Sequence, residues 1–282
     1  MSNSDKIKGV KIEEIKNFLK PYFPLKKLGQ HFLINEKILK KIADFGEIQK
    51  EDLILEIGCG FGNLTKELAK RAKKVIAIDK DWRMIELAKI FLKDFKNVEF
   101  FCEDARKISL SKLKINSQYK LFGNLPYYIA SFIIRKFLEE EKKPEIIIFL
   151  IQKEVAERIC AKEPKLNILA LSVQFYGKVK IKGIVKKENF WPKPKVDGAI
   201  LEIKPYKNGF EKNMDPKLFF KTLKAGFSFP RKKIINNLTL AFRENKMKIE
   251  EVLLKSEIDP NLRPENIPLK AWIKLTKNLF SF

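Results

Sequence analysis

Short apolar runs alternate with segments of helical spacing between residues 53 and 151. The runs are LILEIG (53–58), KVIAID (74–79), NVEFFCED (97–104), YKLFGN (119–124) and EIIIFLI (145–151). Between two of them, the segment from Trp82 to Phe95 has apolar residues at helical spacing, which predicts a covering helix. Runs that are apolar on both faces and separated by helices are typical of a mostly parallel sheet with helices on either side.

Two later runs differ from the first five because their apolar and polar residues alternate. They are KVKIKGIV (178–185) and DGAILEIK (197–204). Alternation of this kind predicts antiparallel strands near the edge of a sheet. Together the seven runs predict an α/β fold, Rossmann-like, with a seven-stranded, mostly parallel sheet.

The pattern changes after Pro205. No strand-like run follows, and residues 215–282 have helical spacing interrupted by prolines at 230, 260, 264 and 268. The sequence therefore predicts two domains. Residues 1–205 would hold the sheet and a basic, helical N-terminal segment, and residues 206–282 would form a small all-α domain.

Charge is the strongest compositional signal. The 282 residues include 58 lysines and arginines against 35 acids, which gives a net charge of +23. From Lys204 onward there are 17 basic and 8 acidic residues. Such an excess points to a polyanionic partner, RNA or DNA first of all. A composition that is rich in lysine everywhere would give the same total without a partner.

The rest of the composition bears on membrane insertion, secretion, disulfides and metal binding. The longest purely apolar run, Ile146 to Ile151, is too short to span a bilayer, and the first residues lack the apolar core of a secretory signal. Cys59, Cys102 and Cys160 form no CxxC pair, so neither a disulfide framework nor a metal site is indicated. We expect a cytoplasmic protein with no metal and no membrane partner.

A glycine-rich turn follows the first long strand. ILEIGCGFGN (54–63) lacks the last glycine of a GxGxxG dinucleotide fingerprint, since position 63 is asparagine. Glycines here let the backbone turn tightly and approach a ligand. Asp79 ends the next run, where an acid can accept ribose hydroxyl protons, and Asp104 ends the third, where it can accept from an adenine amino group. The pattern resembles S-adenosylmethionine-dependent methyltransferases, although structural glycines alone could explain the turn.

The second candidate is the loop GNLPYYIAS (123–131) at the end of the fourth run. The side-chain oxygen of Asn124 and the carbonyl of Leu125, fixed by Pro126, could each accept one hydrogen from the amine of a base. These bonds would localise the nitrogen lone pair toward a methyl donor. Tyr127 would stack on that base. The alternative is a strand-terminating turn with a buried tyrosine.

Ordered segments along most of the chain carry a more specific resemblance. They are LGQHFLIN (28–35), LEIGCGFGNLT (55–65), GNLPYYIAS (123–131), IQKEVAERI (151–159), FWPKPKVDGAIL (190–201), GFSFPRKKIINNL (226–238) and IDPNLRPENI (258–267). The chain resembles the ribosomal RNA adenine N6,N6-dimethyltransferases, which modify two adjacent adenosines near the 3′ end of small-subunit rRNA. Among the departures, FSFPRKK stands where relatives more often have FSQRRK.

The resemblance implies a site. Its cofactor, S-adenosyl-L-methionine, would be bound by His31, Leu33, Gly58, Gly60, Asp79, Asp104 and Asn124. Phe190 would face Tyr127 across the target base, although a core aromatic is the plain alternative for Phe190. His31 is the only histidine. The family implies that His31 contacts the cofactor rather than transferring a proton.

Basic residues near two of these segments are candidates for RNA contact. They are Lys26, Lys27, Arg231, Lys232 and Lys233, the last three followed by the amides Asn236 and Asn237. The partner implied by the family is small-subunit rRNA within an immature small ribosomal subunit, in ribosome biogenesis. No heptad pattern or exposed strand suggests a dimer, so we expect a monomer.

Three alternatives remain open. A large-subunit rRNA adenine methyltransferase of the macrolide-resistance type shares the NLPY loop, but IQKEVAERI and IDPNLRPENI favour the small-subunit family. A DNA adenine methylase normally has Asn-Pro-Pro-Tyr, whereas this chain has Leu125 in place of the first proline. A non-catalytic RNA-binding assembly factor would be expected to lose Asn124 or the acids, and all are present.

Overall fold

The computed structural model describes residues 29–126, 129–207 and 214–280. Contacts between residues divide the chain into two compact units. The sheet unit ends at Ala156 and resumes over Lys180–Lys204, and the helical unit comprises Glu157–Val179 and the chain from Pro205 onward. No pattern in the sequence indicates that residues 157–179 group with the C-terminal helices. The division into two folding domains at residue 205 stays a prediction.

The first half of the chain alternates strands and helices, as expected. The elements are β1 (Phe32–Leu33), α1 (Glu36–Phe45), β2 (Leu53–Ile57), α2 (Asn63–Ala69), β3 (Lys74–Asp79), α3 (Trp82–Phe91), β4 (Val98–Cys102), β5 (Lys120–Asn124), α4 (Ala130–Glu139) and β6 (Ile147–Gln152). The second half continues with α5 (Lys153–Ile159), α6 (Ile168–Gln174), β7 (Gly177–Val185), β8 (Phe190–Trp191), β9 (Gly198–Pro205), α7 (Pro216–Gly226), α8 (Ile234–Phe242), α9 (Lys246–Lys255) and α10 (Leu269–Phe280).

Seven strands form one sheet in the order β4-β3-β2-β5-β6-β9-β7. The strands from β4 to β6 run parallel to one another, and β9 pairs antiparallel with β6. The expected seven-stranded, mostly parallel sheet is confirmed. The chain order reverses between the neighbours β2 and β5. In open α/β sheets a ligand crevice lies at the carboxyl ends of the strands at such a reversal.

Burial explains why these runs become strands. β2, β5 and β6 have almost every side chain buried, as expected for central strands covered by helices on both faces. The outer strands β4 and β7 alternate with exposed positions. Local caps fix the helix starts: Asn35 Oδ1 accepts the backbone N–H of Lys37 at 3.0 Å, and Asp81 Oδ1 accepts that of Arg83 at 3.2 Å.

Three expected boundaries need correction. The helix that was expected to reach Phe95 ends at Phe91, and Leu92 leaves the helical conformation. The third strand ends at Cys102, so Asp104 lies in the turn that follows rather than on the strand. Of the expected helical N-terminal segment, residues 1–28 lie outside the described residues. From residue 29 the chain forms a turn and β1 before α1 begins.

The helical unit has its own aromatic core. Phe175 stacks on Phe219 with ring centroids 4.2 Å apart, and Phe227 lies against the fully buried Trp272 at 5.5 Å. A Cβ atom at Gly226 would lie 2.2 Å from the Trp272 ring, so only glycine allows α7 to approach α10 this closely. In the part of the chain that the structure describes, no helix is both long and apolar enough to cross a membrane.

Candidate active site

A cavity opens at the carboxyl ends of the central parallel strands. It lies wholly within the sheet unit. Its lining includes His31, Gly58, Gly60, Asp79, Asp104, Asn124, Leu125, Pro126 and Phe190. The structure therefore brings nine of the predicted site residues to one cavity.

The glycine turn after β2 forms the floor of this cavity. Gly58, Gly60 and Gly62 have φ angles of +75°, +55° and +94°, a region that strongly favours glycine. A Cβ atom at Gly60 would lie 2.9 Å from the ring of Phe32, and one at Gly58 would lie 3.2 Å from the carbonyl oxygen of Asn124. A side chain at either position would be crowded against these groups as well as strained, so the turn requires glycine.

Asp79, at the tip of β3, is tied to this turn. Its Oδ2 accepts the backbone N–H of Gly60 at 2.9 Å, and its Oδ1 accepts that of Asp81 at 2.9 Å. Burial raises the pKa of Asp79, and these two backbone hydrogen bonds oppose the rise. Each carboxylate oxygen has a further lone pair, so the group can hold the turn and still accept from a ligand.

Asn124, at the tip of β5, is oriented by a main-chain group from the N-terminal segment. Its Nδ2 donates to the carbonyl oxygen of His31 at 2.9 Å. Because the amide is planar, this bond fixes which atom is left as acceptor. Asn124 Oδ1 has no hydrogen-bond partner among residues 29–126, 129–207 and 214–280, and the side chain lines the cavity.

Pairing of two short strands brings the segment that contains His31 next to the segment that contains Phe190. β1 pairs antiparallel with β8, so that Phe32 lies opposite Trp191 and Leu33 opposite Phe190. The Nδ1–H of His31 donates to the carbonyl oxygen of Pro192 at 2.7 Å. The ring therefore helps to anchor the two segments.

The wall beside Asn124 is formed by the residues that follow it. The backbone N–H of Leu125 donates to the carbonyl of Leu150 at 3.0 Å, which joins the loop to β6. Leu125 and Pro126 line the cavity, and Phe190, 5% exposed, lines it as well. Tyr127, the predicted stacking residue, lies outside the described residues.

Leu33 is the one described cofactor candidate that the structure does not bring to the cavity wall. Its side chain is 3% exposed and belongs to the hydrophobic core. Its carbonyl oxygen accepts from Asn63 Nδ2 at 2.8 Å, a bond that joins β1 to the start of α2. Alternation along β1 explains the difference, since neighbouring side chains on a strand point to opposite faces.

Asp104 lies at the cavity with its carboxylate already paired. Arg106 Nη2 lies 2.5 Å from Asp104 Oδ2, and Arg106 Nε donates to Oδ1 at 3.0 Å. The Arg106 side chain lowers the pKa of Asp104 to about 2. The sequence prediction missed Arg106, although an arginine two residues after a strand-tip acid was a visible signal. An ionised Asp104 is a ready acceptor for an amino group.

Glu56, on β2 behind the glycine turn, is a buried acid. It is 1% exposed, and its Oε2 has no hydrogen-bond partner among the described residues. Burial raises the pKa of Glu56 to about 8, and nearby Asp79 acts in the same direction. Glu56 lines a smaller cavity that also touches Gly58 and Asn124.

The basic candidates of the helical unit form an exposed group before α8. Arg231, Lys232 and Lys233 are exposed, and Lys233 Nζ donates to Asn261 Oδ1 at 2.7 Å. Asn237, expected to contact phosphate, is fully buried instead and donates to the carbonyl oxygens of Gly226 and Phe229. Lys26 and Lys27 lie outside the described residues.

No group of three or more His, Cys, Asp or Glu side chains that could hold a metal ion occurs within the described part of the chain. Strand-tip acids, a glycine cradle and an oriented amide around one cavity define a class I S-adenosylmethionine-dependent methyltransferase.

Comparisons with known proteins specify the family. The sequence model of the ribosomal RNA adenine dimethylase family matches residues 25–279. The chain belongs to this family and is an S-adenosylmethionine-dependent rRNA adenine dimethyltransferase. It is 43% identical to the ribosomal RNA small subunit methyltransferase A of Fusobacterium nucleatum, over 89% of this chain and 96% of that protein. The Dehalococcoides mccartyi protein of the same name is 38% identical, over 89% and 86%.

Solved structures agree with the fold. A dimethyladenosine transferase from Plasmodium falciparum is similar with a TM-score of 0.74 and 29% identity, covering 86% of this chain and 95% of that one. The 23S rRNA methyltransferase ErmE has a TM-score of 0.71 and 22% identity, covering 88% and 99%. The second likeness establishes the shared fold only.

Proposed function

We propose that this enzyme dimethylates the N6 amines of two adjacent adenosines in a loop near the 3′ end of small-subunit rRNA. Its substrate is an immature small ribosomal subunit, and it acts as a monomer in the cytoplasm. The single observation that carries the chemistry is the hydrogen bond from Asn124 Nδ2 to the carbonyl of His31, which leaves Oδ1 as the acceptor at the cavity. The names of the relatives support the small subunit as target.

The cavity fits S-adenosylmethionine. Gly58 and Gly60 line it without side chains, and the acids Asp79 and Asp104 line it as well. In our proposal Asp79 accepts the ribose hydroxyls and Asp104, ionised through Arg106, accepts the adenine amine. His31 and Asn124 complete the wall. The cofactor supplies an electrophilic methyl group on a sulfonium.

The residues at the tip of β5 would activate the target amine. The nitrogen lone pair of adenine N6 is delocalised into the ring, which makes the amine a poor nucleophile. Asn124 Oδ1 and the Leu125 carbonyl would each accept one of its hydrogens and draw the nitrogen toward tetrahedral geometry. Pro126 keeps the carbonyl in place. Because these bonds strengthen as positive charge develops on nitrogen, they favour the transition state over the ground state.

Aromatic faces would hold the base during transfer. Phe190 already lies at the cavity wall, almost completely buried. In our proposal it forms one face of the base site and Tyr127 the other. The target adenine has to leave its stack to enter, which a loop or a flexible helix end permits more readily than a duplex.

Replacing Asp79 tests the cofactor assignment. Asp79→Ala should weaken S-adenosylmethionine binding by about 10- to 100-fold, because hydrogen bonds to a charged group contribute about 1.5–3 kcal/mol. Calorimetric titration of the full chain with S-adenosylmethionine measures the change. Asp94→Ala, an exposed acid of the same unit, is the matched control. If the Asp79 variant bound the cofactor like the control, the ribose assignment would be incorrect.

The exposed basic residues before α8 are our candidates for phosphate contact. No described acidic side chain forms an ion pair with Arg231, Lys232 or Lys233, whereas lysines such as Lys248 and Lys274 pair with glutamates. Unpaired cations are the ones that can release counterions from a nucleic acid without first breaking an ion pair.

Replacing two of these cations should change how RNA binding depends on salt. For Arg231→Ala with Lys232→Ala, the slope of log K against log salt should become shallower by about 1.4, or 0.7 per lost phosphate contact on single strands. Binding to RNA fragments at several salt concentrations measures the slope. Lys246→Ala with Lys255→Ala, at the two ends of α9, removes the same charge elsewhere. An equal change in both double variants would indicate a diffuse field instead of a defined contact.

Transfer of labelled methyl groups tests the function as a whole. Unmodified small and large ribosomal subunits would each be incubated with the enzyme and labelled S-adenosylmethionine, and the nucleosides analysed by mass. We expect dimethyladenosine in small-subunit rRNA alone. Methylation of the large subunit would support the macrolide-resistance type, whose fold this chain shares. Binding without methylation would support an assembly factor.

A further inference from the structure

An exposed aromatic ring stands in the turn between α7 and α8. Phe229 is 43% exposed, unlike the neighbouring Phe227, which is buried. We call residues 228–233 the aromatic–basic turn. An exposed large apolar side chain is unremarkable when it stands alone, so its setting decides whether it has a role.

Hydrogen bonds fix the backbone of the aromatic–basic turn. The buried side chain of Asn237 donates to the carbonyl oxygens of Phe229 at 3.0 Å and Gly226 at 2.6 Å. The backbone N–H of Lys232 donates to the same Phe229 carbonyl at 2.9 Å. Because Asn237 is the residue that fixes the turn, Phe229 is presented to solvent on a preorganised backbone, which lowers the entropy lost on binding.

Positive charge surrounds the ring. Lys232 Nζ lies 4.5 Å from the centroid of the Phe229 ring, and Arg231 and Lys233 flank it in the sequence. Residues 216–243 contain seven basic residues and no acidic residue. A purely apolar partner would have to desolvate these cations at a cost, whereas a polyanion would be attracted by them.

We propose that the aromatic–basic turn is a stacking platform for an unpaired RNA base, with Phe229 contacting the base and the cations contacting the adjoining phosphates. The proposal rests on the proposed function, since it takes rRNA as the partner. Stacking on an aromatic face combined with cationic contact to the backbone is the usual way of binding a single strand. A duplex keeps its base faces covered, so the platform would select unpaired segments of the RNA.

The test compares three RNA probes on the full chain. They are a single strand of mixed sequence, a duplex of equal length and a strand of equal length whose backbone lacks bases. Phe229→Ala removes the ring, and Phe229→Trp keeps an aromatic face. Leu240→Ala, which removes another exposed apolar side chain of the helical unit, is the control. Thermal unfolding of each variant confirms that it is folded.

We expect Phe229→Ala to weaken binding of the single strand by about 5- to 100-fold, the range measured for loss of one stacked base. Binding of the duplex and of the strand without bases should stay unchanged, as should the salt slope. Phe229→Trp should bind the single strand at least as well as the wild type. Equal weakening for all three probes, or no weakening for the single strand, would overturn the proposal.

The RNA-probe experiment and the labelled-methyl experiment test the stacking platform and the methylation target independently. If the labelled-methyl experiment showed large-subunit methylation, the proposed function would fail while the probe comparison still reported on stacking. Conversely, a Phe229→Ala variant that bound every probe normally would remove the platform and leave the methylation result standing.

Discussion

Asn124→Ala should lower the rate of methyl transfer by about 10²–10³-fold, the loss seen when one preorganised hydrogen-bonding group is removed from a reacting centre. The physical reason is that Asn124 Oδ1 is held at the cavity by the bond from its own Nδ2 to the His31 carbonyl. In our proposal the bond from the target amine to Asn124 strengthens as charge develops, so its removal should affect kcat more than substrate affinity.

The measurement is single-turnover transfer of labelled methyl groups to unmodified small subunits, with calorimetric titration of the cofactor alongside. The affinities for cofactor and RNA should stay within a few-fold of wild type, while the rate of methyl transfer falls by the factor given above. Asn116→Ala, an exposed asparagine of the same unit, provides the control. A variant at position 124 that transferred methyl groups at the control's rate would show that lone-pair localisation is not the source of activity.

The second large effect concerns stability and pH. Burial holds the pKa of Glu56 at about 8 in the folded chain, against an ordinary value of 4.5. The folded state therefore binds a proton that the unfolded state has released. This proton on Glu56 makes its full contribution to stability below the pKa of Glu56 in the unfolded chain. The contribution is lost as the pH rises through the pKa of Glu56 in the folded chain. Over that window the free energy of unfolding should fall by about 3–5 kcal/mol.

Glu56→Gln should remove this dependence, because an amide does not titrate. Urea unfolding at pH 5, pH 7 and pH 9 would give the free energy at each pH. Wild type should lose stability across the series, and the variant should lose about 3–5 kcal/mol less. Glu250→Gln makes the same chemical change on the surface of the helical unit. If the Glu56 and Glu250 variants had the same pH dependence, buried Glu56 would not be the titrating group.

The sheet could be predicted from the sequence because its strands are buried on both faces. β2, β5 and β6 are apolar over nearly their whole length, and that signal survives without any knowledge of tertiary contacts. β1 and β8 could not be predicted in this way. Each has two residues, and each exists only because the other lies opposite it.

The candidate site also has parts that the sequence predicts and parts that depend on contacts between distant residues. Glycines, strand-tip acids and the asparagine loop were visible because a parallel sheet gathers its strand ends at one edge. The contact between Asn124 and the His31 carbonyl spans 93 residues and has no side-chain signature at position 31. Asn237 was misread for a related reason, since nothing local distinguishes an amide that binds phosphate from one that holds two carbonyl groups inside the fold.

The bond that orients Asn124 ends on a peptide oxygen, so it does not depend on which amino acid occupies position 31. Replacing the His31 side chain would remove its bond to the Pro192 carbonyl but not the acceptor that holds the amide. Removing the residues that precede β1 would have a different effect, because the His31 carbonyl would be lost. Every functional group at the strand tips would survive, the central sheet would keep its pairing, and the asparagine would be free to rotate. If Asn124 acts as we propose, catalysis therefore depends on the path of the chain ahead of the sheet as much as on the residues that contact the substrate.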